Sequence, residues 1–492
     1  MESRTNVKWL VVMGLLAAVV LGMPKGAAAV TLGWDANGTN YGMGQWDLNL
    51  GYWNAGNLYW NTNPYDWNST SIVSWGGPSG RTDSVIFGGW VSPALNGNTG
   101  TANVWLHAWT GSAWNLMLTP ETMTFETPYQ TTTGYLLQFW GAYLDTTKIT
   151  VTAADDWATI AGYSGCGGWW MGRAVTKDGA GTLTIGNAGG SFNGDSGAGF
   201  TYAGLTVDAG TVIFNRPDGV SAVGGLVTVN AGGLVKWNRS NQMPNLAGLM
   251  INGGTADIQS YNDIVGAVTL MGGGSINGTI GILTGAGYDV RSGTANAILD
   301  GSGDLVKSTS DTVTLNANNM YNGATYVLEG TLIVNGSLNT ASLVSVAGGA
   351  MLGGSGTVGS VSVLGTVAPG NSIDTLDIDG DASFDSGSTL DIEIGSLSVS
   401  DLLAITGNLS LETSGAGVTL NVTGTADGSD YTIATFGGSL LGTFTTWSLP
   451  DGYDIVYGDH SIQLTPEPAS LVMLGLGFAG LLSARRRREG GA

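Results

Sequence analysis

Along most of the chain, apolar and polar residues alternate in short runs broken by glycine. Leu205 and Val207 stand two apart, and after a turn Val212 and Phe214 repeat that spacing. A period of two puts one face of a strand inward and the other toward water. A phrase of one apolar residue, two variable residues and Gly then recurs. It reads Val207-Asp208-Ala209-Gly210, Val229-Asn230-Ala231-Gly232, Ile251-Asn252-Gly253-Gly254 and Leu270-Met271-Gly272-Gly273, at intervals of 22, 22 and 19 residues. It returns at Val327–Gly330, Val346–Gly349 and Phe384–Gly387. A repeat near 20 residues made of short strands predicts one β-solenoid coil per repeat. A single coil cannot bury its inner face, so successive coils must stack. Gly at each corner lets the chain turn with positive φ.

This pattern divides the chain. Residues 150–395 form the predicted solenoid and 396–465 a C-terminal β cap. Residues 30–149 form a β-rich, aromatic N-terminal segment that caps the first coil; 14 of the 17 Trp lie between Val30 and Met171. The two ends break the pattern. Residues 1–29 read as a signal peptide, with Arg4 and Lys8 before an apolar run at 10–23 and Ala27-Ala28-Ala29 at its close. Residues 466–492 open with Pro466-Glu467-Pro468, run uncharged through 469–484, and end in Arg485-Arg486-Arg487-Arg488. Sixteen helical residues reach about 24 Å, a short membrane span whose basic end stays in the cytoplasm. Helices are expected only in these two ends.

Composition narrows the function classes. Gly accounts for 82 of 492 residues, and 29 Asp accompany only 8 Glu, so turn formers outnumber helix formers. The net charge is −21, and residues 308–484 contain no Lys or Arg. Nucleic-acid binding requires clustered cations and is not expected. One Cys and two His leave no disulfide and no Cys/His zinc site, and no cofactor is expected.

The tail resembles the PEP-CTERM sorting signal, in the order Pro-Glu-Pro, apolar span, Arg cluster. The resemblance implies an exosortase-type sorting protease as partner, attachment to the inner membrane through the C-terminal helix before processing, and a Gram-negative-type host that makes extracellular polysaccharide, itself a candidate partner. Residues 177–185 with 204–215, and 301–307 with 329–336, are similar to the autotransporter-associated β-strand repeat. Gly354–Gly370, continuing to Asn371-Ser372, is similar to the stretch that closes such stalks. That resemblance implies a right-handed parallel β-helix. It departs from true autotransporters in that the sorting-type tail stands where a membrane β-barrel would follow.

Few constellations carry chemistry. Gly194-Asp195-Ser196-Gly197 has the letters of a serine-protease nucleophile, but His107 lacks the matching motif, so a turn is expected. Gly354-Ser355-Gly356-Thr357-Val358-Gly359 fits a dinucleotide loop, yet a strand rather than a helix is expected after it. Asp374, Asp377, Asp379 and Asp381 could share Ca²⁺ if they align on one face, although the EF-hand pattern fails. The Trp segment could stack on sugars. Cys166 reads as a small buried side chain. With no catalytic or metal residues assigned, the expectation is an exported, non-enzymatic surface or extracellular-matrix protein with a structural or adhesive role. The alternatives are a β-helix polysaccharide-degrading enzyme, with Lys177, Arg216, Lys236, Arg239, Arg291 and Lys307 as the available bases, or a carbohydrate-binding protein. In the acidic stretch 308–465, mutual repulsion is expected to raise the carboxylate pKa values.

Overall fold

The computed structural model describes residues 146–162, 173–186, 204–370 and 372–467, with separate strands between residues 31 and 170. Every regular element among them is a β-strand. Two compact units divide the chain, residues 1–286 and 287–492.

In the first unit the strands stack in parallel as two ladders. One ladder joins Gly204–Val207, Leu226–Asn230, Leu249–Asn252 and Asp263–Met271. Its register sets Val207 against Val229, Val229 against Ile251 and Ile251 against Leu270. These are the residues that open the repeated phrase, so the sequence interval is the coil length. All four side chains are fully buried, and each contributes about 1.5–3 kcal/mol through burial. The second ladder joins Thr182–Ile185, Gly210–Phe214, Gly233–Trp237 and Thr255–Asp257. Upstream, Thr31–Trp34, Ser84–Phe87, Thr122–Phe125 and Lys148–Val151 pair in the same parallel sense. A loop, rather than a strand, forms the remaining side of the coils between Phe214 and Leu226 and between Trp237 and Leu249.

In the second unit, from Val344 onward, each coil has three strands. The first ladder runs Val344–Val346, Val361–Val363, Ala382–Phe384, Leu409–Leu411. The second runs Met351–Gly354, Thr366–Pro369, Thr389–Ile394, Thr419–Gly424, Thr446–Ser448. The third runs Thr357–Val358, Thr375–Ile378, Leu402–Ile405, Tyr431–Phe436. Val346, Val363, Phe384 and Leu411 follow one another at 17, 21 and 27 residues, so the expected period of 19–22 does not persist here.

The stack ends unevenly. The third ladder is closed by two antiparallel strands, Ser461–Pro466 against Tyr431–Phe436, and Tyr453–Tyr457 outside it. The second ladder ends on Trp447, which occupies the inward register of Leu390 and Leu420 yet is 57% exposed.

Candidate functional site

Two lysines turn inward at coil corners. Lys177 stands next to last in the strand Val175–Asp178 and is fully buried. Its Nζ donates to the carbonyl of Gly179 at 2.7 Å and to that of Ala209, in the next coil, at 2.8 Å. Burial lowers its pKa to about 8, although neighbouring Asp178 favours the charged form. Lys307 repeats the arrangement in the other unit, donating to Thr309 O and, at 3.0 Å, to Glu329 O. Burial lowers its pKa as well. The residue after each clamped carbonyl of the next coil, Ala209 O and Glu329 O, is Gly at positive φ, Gly210 at 68° and Gly330 at 63°. A Cβ on Gly210 would lie 2.6 Å from Lys177 Nζ. These ammonium groups stitch one corner to the next.

The loop side of the first unit encloses a polar network. Gln242 accepts from Arg216 N at 2.8 Å and returns a donor to Arg216 O at 3.1 Å. Asp263 Oδ2 accepts from Trp237 Nε1 at 2.6 Å, Gln242 N at 2.9 Å and Met243 N at 3.1 Å. Arg216, Gln242 and Asp263 are all buried, and Trp237 packs edge-on against Phe214 at 5.2 Å. Burial pushes the Asp263 carboxyl up to about 6 against the pull of those donors. The network ties three successive coils where a strand ladder is absent.

Of the six bases available to an enzyme of this shape, Lys177, Arg216 and Lys307 are therefore buried within the frame. Lys236 pairs with Asp257 at 3.9 Å and Arg291 with Asp289 at 2.6 Å.

The acidic run Asp374, Asp377, Asp379 and Asp381 is exposed throughout. Asp377 and Asp379 border a groove of about 320 Å³ with Thr357, Thr406 and Thr435. Asp381 Oδ1 accepts from Asn408 N at 2.7 Å and Asn408 Nδ2 at 3.0 Å, and Asp379 from Thr406 Oγ1 at 3.2 Å. These carboxylates bond to the following coil. Among the described residues, no group of three or more His, Cys, Asp or Glu side chains gathers closely enough to hold a metal ion.

The expected general rise in carboxylate pKa needs correction. Burial raises Asp401, with Glu393 and Asp374 adding to the rise. Asp427 goes the other way, to about 2, because Leu397 N, Ser429 and the Tyr431 hydroxyl all donate to it. Hydrogen bonds to Ser414 likewise hold Glu412 low. Local donors outweigh screened repulsion between exposed charges.

Of the tail residues, Pro466 and Glu467 are described. Pro466 pairs with Tyr453 at the end of the closing strand, and Glu467 N donates to Gly452 O at 2.8 Å. Pro468, Arg485, Arg486, Arg487 and Arg488 lie outside the described residues, as do the 1–29 and 469–484 segments, Cys166 and Gly194–Gly197. No helix among the described residues is long and apolar enough to cross a membrane. His107 lies in the strand Ala102–His107. After Gly354, the short strand Thr357–Val358 follows, as expected, in place of a helix.

Comparison with known proteins bears first on the tail. Residues 464–488 match the PEP-CTERM protein-sorting motif, which implies processing by exosortase-type machinery and export to the envelope or surface of Gram-negative bacteria. The chain is also similar to an extracellular serine protease of Serratia marcescens, 37% identical over 156 residues. The match covers 30% of this chain and 15% of that protease.

Proposed function

We propose that this is an exported, non-enzymatic structural or adhesive protein of the bacterial surface or extracellular matrix. In this reading the body is a right-handed parallel β-helix, and an exosortase-type protease removes the tail that holds it at the inner membrane. The observation that carries the reading is the sorting motif at 464–488, which begins within the last strand, Ser461–Pro466. Support for a frame role comes from the inward-facing cations: Lys177, Arg216 and Lys307 serve the stack rather than a cleft. The sorting part is tested by intact mass of the mature protein with cell fractionation. The expected outcome is loss of Arg485–Arg488 from protein in the outer fraction; their retention there overturns it.

The match to a protease, over 15% of that protein, fits neither a structural nor an enzymatic reading specifically, and the rival to be tested is a serine hydrolase using Ser196. Labelling of the secreted protein with a fluorophosphonate probe decides between them. No labelling is expected, and labelling abolished by Ser196→Ala would establish the rival.

A further inference from the structure

The residues matched to the sorting motif start at Leu464, inside the fold. Leu464 is fully buried, paired with Tyr431 on one side and Ile455 on the other. Thr465 and Pro466 pair with Asp454 and Tyr453, and Glu467 N donates to Gly452 O, the last main-chain bond among the described residues. Ile462, two residues before Leu464, is fully buried as well. The strand Ser461–Pro466 is thus the middle strand of the closing sheet, and the motif shares residues with it.

We propose that this strand is a steric stop for processing. The sorting enzyme severs the chain only C-terminal to Glu467, while Leu464, Thr465 and Pro466 are positioning residues that close the sheet. The inference rests on the sorting reading above. A peptidase must draw an extended segment, free of other backbone pairing, into its cleft. Upstream of Glu467 the backbone is already paired, and releasing it would expose Ile462 and Leu464 and open the third ladder. Among the described residues, the bond from Glu467 N to Gly452 O is the last that holds the chain to the sheet. Beyond it the peptide C–N bond breaks, water supplies the oxygen of the new carboxylate, and the departing nitrogen takes up the proton. Proline suits the junction, because it lacks the N–H that would extend the ladder.

Co-expression of the full chain with an exosortase-type enzyme, followed by intact mass, reads the new C-terminus. The expected product keeps Glu467; a product ending at or before Pro466 overturns the proposal. A chain that keeps Arg485–Arg488 overturns the sorting reading instead, and a second arm then decides the stop alone. Proteinase K trimming of the purified full chain is expected to halt at or beyond Glu467. A cut within 461–466 overturns the stop. Leu464→Asp places a charge in a buried site and is expected to add shorter products in both arms. Val456→Asp, on the half-exposed neighbouring strand, is expected to give the same end as the parent chain. An unchanged single end for Leu464→Asp would show that the strand does not set the limit.

Discussion

The two units close their coils differently. In the first, two strand ladders carry the stack, and the remaining side is a loop with Arg216, Gln242 and Asp263 buried beneath it. In the second, from Val344 onward, that side is a third ladder, lined inside by Val358, Ile378, Ile405 and Phe436, all buried. A loop leaves main-chain donors without ladder partners, and buried donors must be satisfied. Asp263 and Gln242 supply the acceptors. A ladder satisfies its own backbone, so its interior can be purely apolar. One side therefore depends on the state of an ionisable group, and the other depends on packing.

The largest expected effect tests the apolar side. Ile378→Ala should destabilise the second unit by about 4 kcal/mol, within the range for large-to-small core changes. Denaturant unfolding should show that loss unchanged between pH 4 and 8. A loss that varied with pH would mean that the third ladder holds a hidden charge.

Next comes Asp263. With a folded pKa of about 6 and an ordinary unfolded value, the folded chain holds the extra proton between the two. Stability of the first unit should therefore rise as pH falls from about 6 to 4, by about 3 kcal/mol in all. Hydrogen exchange at residues 237–263, corrected for intrinsic rates, measures this rise, and Asp263→Asn should abolish it. A flat profile in the parent chain would refute the role of burial.

The corner lysines test what the units share. Lys177→Met and Lys307→Met each strand two carbonyls and should cost about 2 kcal/mol by the same unfolding assay. If only one destabilises, the corners are not equivalent.

Asp427 gives a smaller effect of opposite sign to Asp263. Its folded pKa of about 2 lies below the unfolded value, so its contribution is present above about 4 and fades as pH falls through 2. Exchange at residues 427–431 should quicken in that window, and Asp427→Ala should remove the dependence. Smallest is salt: with 16 carboxylates and no Lys or Arg in residues 308–465, added NaCl should raise the melting temperature slightly. No change would show that hydrogen bonding has neutralised the repulsion.

The ladder of Val207, Val229, Ile251 and Leu270 was legible because inward residues must repeat at the coil length. The Gly corners were legible for the same steric reason. Lys177 was not, since a lysine beside Asp178 in a Gly-rich turn reads as solvated; only the stacked corner brings Ala209 O to its Nζ. Asp263 sits before an apolar run and looks like a strand entry. Its burial depends on Trp237 and Gln242, which lie 26 and 21 residues away. The antiparallel closing strands were expected only as a β cap, because alternation gives a strand's faces and not its direction. Pro466 and Glu467 were assigned from the tail motif, whose letters say nothing of the sheet they share.

Trp447 has a consequence for how such a chain changes length. It stands in the inward row after Leu390 and Leu420, where a following coil would cover it. Because each coil bonds only to its neighbours, a duplicated coil between Leu420 and Trp447 would create one new interface, between the two copies, and leave the outer faces of the pair against the surfaces the parent met. Growth by tandem duplication therefore asks for repacking at a single junction, and coil number can change independently of the chemistry of either end.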